Sequence, residues 1–195
     1  AIDVYRTAID AYPEYPASLV KLGLLHLARL GDAQQAEALF RRAAEIAPSM
    51  IEAQANLGLA LQEQGRFDEA LRHYAAQLAV HPEVVEFRWN RGLANLSQGN
   101  FEQGWDDYEA RKHRVSGEIH GNYAFPDWNG SPLTGRTILV YGEQGLGDEI
   151  MFASCLPQII AQAEATIVEC DARLVELFRR SFPGARIEGR VPGRD

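Results

Sequence analysis

The sequence predicts a mainly α chain, a stack of antiparallel helix pairs, followed by a short partial α/β segment. Two observations carry this prediction. The string Gly65-Arg66-Phe67-Asp68-Glu69-Ala70 returns 34 residues later as Gly99-Asn100-Phe101-Glu102-Gln103-Gly104, a period that marks repeated helical hairpins. Further on, the β-branched and apolar run Thr137–Tyr141 leads into a glycine-rich stretch and then an amphipathic segment, the order in which a buried parallel strand feeds a helix. The totals agree with a folded chain, since 46% of the 195 residues are hydrophobic and 24% are charged, the balance of an ordinary globular protein.

Taken in order, the first residues begin in the middle of a repeat. Ala1, Tyr5, Ala8 and Pro13 fit only the second helix of a hairpin whose first helix is absent. Complete repeats are expected at about 16–50, 51–84 and 85–114, so the array spans 1–114, with one extra residue near the turn of the first. That turn carries a looser copy of the string, Gly31-Asp32-Ala33-Gln34-Gln35-Ala36. Gly23, Gly58 and Gly92 let paired helices approach closely, and Phe40, Tyr74 and Tyr108 fill the space between neighbours. Gly65 and Gly99 suit the left-handed residue that closes a helix. Asp68 and Glu102 then fall near the start of the second helices, where negative charge suits the dipole. Pro48 and Pro82 end the second helices, because proline cannot donate to the ladder.

These places match the pattern of the tetratricopeptide repeat (TPR), and the resemblance implies an α-α superhelix whose first helices line a concave protein-binding groove. Asn56 and Asn90 stand two residues before the repeat glycine. They resemble the asparagine ladder by which some TPR proteins hold the backbone of an extended peptide, an amide offering a donor and an acceptor together. Lys21 takes that place in the first repeat, which leaves two rungs. Trp89, Arg88 and Arg91 cluster around the second rung as candidate anchors. The alternatives are that the asparagines bond within their own or adjacent helices and that Trp89 covers a domain junction.

Residues 115–136 read as a linker rich in Gly, Pro and Asn, and the aromatics Tyr123, Phe125 and Trp128 are too many for a free tether, so the segment is expected to pack. Residues 137–195 read as strand 137–141, helix 149–162, strand 165–170, helix 172–181 and strand 185–188, the opening of a Rossmann-like domain. About 60 residues are fewer than such a domain needs. The sheet is therefore expected to be incomplete and the chain to be a fragment, an expectation that the missing initiator Met supports.

Chemistry gathers at Gly142, Glu143, Gln144, Gly145 and Gly147, where glycines between strand and helix suit an acceptor- or anion-binding loop. No Lys and Ser/Thr follow as in a P-loop, and Ile150 occupies the third glycine place of the dinucleotide fingerprint. The TPR array, the Trp128 to Gly135 linker and the run Glu143 to Glu149 together resemble bacterial TPR proteins with a C-terminal GT-B glycosyltransferase domain, related to heptosyltransferases and similar in layout to O-GlcNAc transferase. That resemblance implies Asp148 as the base that activates an acceptor hydroxyl; the alternative is that Asp148 caps its helix. It further implies a nucleotide-sugar donor bound by a second half that this chain does not contain, so the chain alone is expected to be inactive. The other reading is a non-enzymatic TPR adaptor whose α/β piece is a structural cap.

The net charge of −8 and pI of about 5.2 argue against a general nucleic-acid or anionic-membrane surface. No run approaches the length of a membrane span. Cys155 and Cys170 read as buried hydrophobes in a reducing cytoplasm, and His26, His73, His81, His113 and His120 have no metal-binding spacing. The partner class is therefore a protein or peptide, no metal is expected, and an exposed sheet edge leaves pairing between two copies open.

Overall fold

The computed structural model describes residues 1–113, 123, 125–143 and 145–190. Gln144 and linker residues 115–122 lie outside them. The chain divides into two compact units, Ala1–Val115 and Ser116–Asp195.

The first unit is a run of helices: α1 (Ile2–Ala11), α2 (Pro16–Leu25), α3 (Ala33–Ile46), α4 (Ile51–Glu63), α5 (Phe67–Val80), α6 (Val85–Ser97) and α7 (Phe101–Tyr108). Each packs on the next. The turns inside the three hairpins carry Gly31, Gly65 and Gly99 at φ of 64°, 73° and 78°, where any side chain would be strained. The extra residue of the first repeat is absorbed by a π-helical turn at His26–Leu30, so α2 runs on before its glycine. Asp32 then caps α3, its Oδ1 accepting the Gln35 amide at 3.0 Å.

Packing follows the repeat. Leu19, Val20, Phe40, Tyr74 and Phe87 are fully buried, each contributing about 1.5–3 kcal/mol where a large apolar side chain leaves water. The glycines of the first helices are required by those aromatics. A Cβ at Gly23 would lie 2.6 Å from the Phe40 ring, and one at Gly58 would lie 2.3 Å from Tyr74. At Gly92 the neighbour is the backbone of α7, with the Tyr108 nitrogen at 2.8 Å. Two buried carboxylates lock helices together. Glu37 accepts from Arg41 at 2.5 Å, Arg66 at 2.7 Å and Gln64 at 2.8 Å. Asp107 accepts from Arg91 at 2.7 and 2.9 Å.

The second unit contains β1 (Thr137–Tyr141), β2 (Ala165–Cys170) and β3 (Arg186–Gly189), all parallel, in the order β1-β2-β3. Val140, Val168 and Ile187 are in register. Val168, Cys170 and Ile187 form a core with Ala153, Leu156, Leu174 and Phe178. The mainly helical character and the small parallel sheet are as predicted, but three strands are too few to establish a Rossmann-like domain.

Some details differ. The single helix expected over 149–162 is α8 (Leu146–Phe152), a 3-10 turn at Ala153–Cys155 and α9 (Leu156–Gln162). Pro157 in the first turn of α9 has no N–H for the ladder and crowds the preceding turn, so the helix restarts there. The helix expected over 172–181 likewise opens with a 3-10 turn, Ala172–Leu174, before α10 (Val175–Ser181). Asp171 caps that turn through the Arg173 amide at 2.9 Å. Cys170 is buried as expected, whereas Cys155, in the 3-10 turn between α8 and α9, is exposed. Of the linker aromatics, Tyr123 packs on Tyr141 at 5.0 Å between ring centroids. Phe125 is instead 70% exposed, and Trp128 folds back on its own turn, its indole N–H donating to the Ser131 carbonyl at 2.7 Å.

Candidate functional site

The first helices of the repeats, α2, α4 and α6, lie side by side. Lys21, Asn56 and Asn90 occupy equivalent places on them, and three residues further on come Leu24, Leu59 and Leu93, all half-buried. Residues three apart share a helix face. A polar strip therefore runs across the repeats beside a strip of leucines that the core has not fully covered.

Each polar residue is held differently. Lys21 Nζ donates to Glu52 Oε1 at 2.8 Å, tying α2 to α4, and that bond raises the lysine pKa above its ordinary value. Asn56 Nδ2 donates to the Glu52 carbonyl at 2.7 Å, one turn back on its own helix. The Asn90 side chain lies beside the Tyr74 hydroxyl and opposes the rise of its pKa. That hydroxyl accepts from Gln62 at 2.9 Å and donates to the Ala55 carbonyl at 3.3 Å. Burial pushes its pKa up, the two amides working against the shift. Asn56 thus commits one of its two donors to its own helix, and Asn90 stands beside the hydroxyl that ties α5 to α4. Arg88 and Arg91 engage Asp107, the former at 3.4 Å, and so hold α6 to α7. Trp89 beside them is half-buried.

In the second unit the glycine-rich loop serves a carboxylate. Gly142 follows β1 and extends the ladder, its amide donating to the Glu169 carbonyl at 3.2 Å. Beneath it lies Glu149, buried, and a Cβ on Gly142 would meet the Glu149 carboxyl carbon at 2.4 Å. Glu149 Oε2 accepts the Asp171 amide at 2.9 Å and Oε1 accepts Arg190 Nη2 at 3.0 Å. The same Arg190 nitrogen donates to the Gly142 carbonyl at 2.5 Å. Burial, with the neighbouring Glu169, pushes the Tyr123 hydroxyl up to about 12.

Gly145 stands at the N-cap of α8, so Asp148 is not the cap. It lies half-buried in the first turn, its amide donating to the Gly145 carbonyl at 3.0 Å. Glu143 is half-buried, and Gly145 and Gly147 are exposed. The adjacent cavity, lined by Gly142, Glu149, Phe152, Leu156 and Cys170, measures about 70 Å³, room for about two waters and far below the size of a ligand pocket. Sequence reasoning passed over Glu149 and Arg190. The signal for Glu149 was its spacing, since Glu149, Ala153 and Leu156 share the inward face.

Among the described residues no group of three His, Cys, Asp or Glu side chains converges as a metal site would, and no helix is long and apolar enough to cross a membrane.

Comparison with known proteins bears mainly on the first unit. Protein FlbA of Caulobacter vibrioides is 30% identical over 98% of this chain, which spans 34% of that relative. The chain therefore covers about a third of the length of the curated relative it matches. A TPR protein from Parabacteroides merdae has a TM-score of 0.51 at 20% identity, over 57% of this chain and 43% of that one. YrrB, described as a TPR protein with an unusual peptide-binding site, has a TM-score of 0.50 at 24% identity, over 60% of each chain. The model of the tetratricopeptide repeat matches residues 1–51 and 56–112. It ends before the second unit and so lends nothing to the glycosyltransferase resemblance of the later residues. With more than half its length matched and the repeat glycines seated against their aromatics, the chain belongs to the tetratricopeptide repeat family.

Proposed function

We propose that this chain is a protein-binding scaffold that holds an extended segment of a partner along α2, α4 and α6. The observation that carries this reading is the recurrence of Leu24, Leu59 and Leu93, half-buried and one per repeat, beside Lys21, Asn56 and Asn90. An apolar floor with a polar edge is what a peptide site needs. The family supports it, as does the peptide-binding site named for YrrB. Exposed, unpaired Cys155 suits a reducing compartment, and we place the protein in the cytoplasm. The test is peptide-library panning with the wild type and with the double variant Leu59→Glu, Leu93→Glu. Selected peptides should lose the variant. Equal capture by a folded variant would end the reading.

A second reading concerns the α/β unit as the acceptor-side part of a glycosyltransferase in a longer protein that uses a nucleotide sugar. Its support is the sequential order of three parallel strands and the placing of Asp148 in the first turn of α8, after the loop that leaves β1. Open α/β sheets bind ligands at that carboxyl edge. Asp148 would accept the proton of an acceptor hydroxyl as it attacks the anomeric carbon. Sugar transfer by the full-length protein, lost in Asp148→Asn, would support it; no transfer from any nucleotide sugar would refute it.

A further inference from the structure

The rung formed by Lys21 and Glu52 has a counterpart one repeat on, and that counterpart is open. Asn56 stands where Lys21 stands, and Glu86, in the first turn of α6, stands where Glu52 stands in α4. The two spacings differ by the one residue that the π-helical turn at His26–Leu30 absorbs. In the first rung the protein supplies its own cation, with Lys21 Nζ 2.8 Å from Glu52. In the second, Glu86 is half-buried and takes no hydrogen bond or ion pair among the described residues. Asn56 does not replace that cation: it is neutral, and its amide nitrogen gives one of its two N–H groups to the Glu52 carbonyl. What this rung presents is therefore a carboxylate without a cation, beside the amide of Asn56.

We propose that this rung takes a cationic side chain of the bound segment, so that the partner is a basic peptide whose arginine or lysine fills the place that Lys21 fills one repeat earlier. The inference rests on the peptide-scaffold reading above. The charge of the whole chain, −8, favours such a partner at long range, and Leu59, one turn from Asn56, offers apolar surface to the stem of the cation or to its neighbour. The chemistry favours arginine, whose planar fork pairs with a carboxylate through two parallel bonds.

The test uses the full 195-residue chain and fluorescence anisotropy with a labelled nonapeptide alternating leucine and arginine. Its counterparts carry glutamine or glutamate in place of arginine. The arginine peptide should bind best and weaken as salt rises. Glu86→Gln should weaken it about 5- to 10-fold, and Asn56→Lys, which closes the rung as the first is closed, should do the same. Lys21→Met opens the first rung and should strengthen binding about 3-fold, a gain that a folding defect cannot produce. If the glutamine peptide binds as well as the arginine peptide and Glu86→Gln changes nothing, the cation inference is overturned while the scaffold survives. If none of the peptides binds and Leu59→Glu has no effect on any capture, the scaffold reading falls and takes the inference with it.

Discussion

Replacing Gly58 by alanine tests how the repeat is held together. The added methyl would stand 2.3 Å from Tyr74 Cζ, 2.4 Å from Cε1 and 2.6 Å from the hydroxyl oxygen. Tyr74 has nowhere to retreat, being 0% exposed and held at its tip by Gln62 and the Ala55 carbonyl. Overpacking of this kind costs about 1–3 kcal/mol, and a displaced hydroxyl adds about 1 kcal/mol for each bond it loses. Alanine returns about 1 kcal/mol as the better helix former. The net is a loss of about 2 kcal/mol, or a fall in Tm of roughly 10 °C for an array of this size. Thermal unfolding followed by circular dichroism reads it directly. In a Tyr74→Ala background the clash is gone, so the same Gly58→Ala change should be neutral or stabilising by about 1 kcal/mol. An equal penalty in both backgrounds would refute the account of Gly58 as room for Tyr74.

Acid should destabilise the array through His73 and Glu37. Burial holds His73 below its ordinary value of 6.5, the bond to the Gln54 carbonyl opposing, so the unfolded chain binds the extra proton. Stability present above about pH 6.5 is then lost as pH falls, and the urea midpoint should drop between pH 7 and 5, less so in His73→Asn. Glu37 acts in the same sense lower down. Burial pushes its pKa up but the bonds from Gln64 and Arg41 outweigh it, so its contribution is lost below about pH 4.5. Iodoacetamide at mild pH should label Cys155 alone in the native chain and both cysteines in guanidinium chloride, because Cys170 is 1% exposed and burial lifts its thiol to about 11; mass spectrometry counts the adducts. Glu149→Gln takes from Arg190 the nearer of its two carboxylate partners, leaving Glu169 at 3.8 Å, and should destabilise the α/β unit by about 2 kcal/mol, seen as an earlier urea transition with the helical array unchanged.

The helical array was legible because its determinants are local or periodic. Gly65 and Gly99 announce their turns since only glycine takes a φ above 70° without strain, and Gly58 stands as far before Tyr74 as Gly92 does before Tyr108, with Phe40 one residue further from Gly23. The strands β1 and β2 were legible from their β-branched runs. What was missed in the α/β unit depends on contacts far along the chain. Glu149 is buried because Arg190, 41 residues away, reaches back to it, and a reading of neighbours sees only two acidic residues at the start of a helix. Asp148 attracted attention for its place after the glycines, whereas the inward spacing belonged to Glu149.

The groove shows the same division more sharply. Alignment of the repeats put Lys21, Asn56 and Asn90 at one register position, and the two asparagines suggested equivalent rungs. Their bonds make them unequal. Lys21 reaches forward to Glu52 on the next first helix, Asn56 folds back on its own helix, and Asn90 is drawn sideways to a tyrosine hydroxyl. Which of these happens depends on reach: a lysine stem spans the gap to the next first helix, while the short amide of asparagine turns to an acceptor or hydroxyl close by. It follows that the residue at the rung sets what its acidic partner on the next first helix has left to offer. Glu52 is spent on Lys21, and Glu86, facing an asparagine too short to reach it, keeps its charge for a ligand.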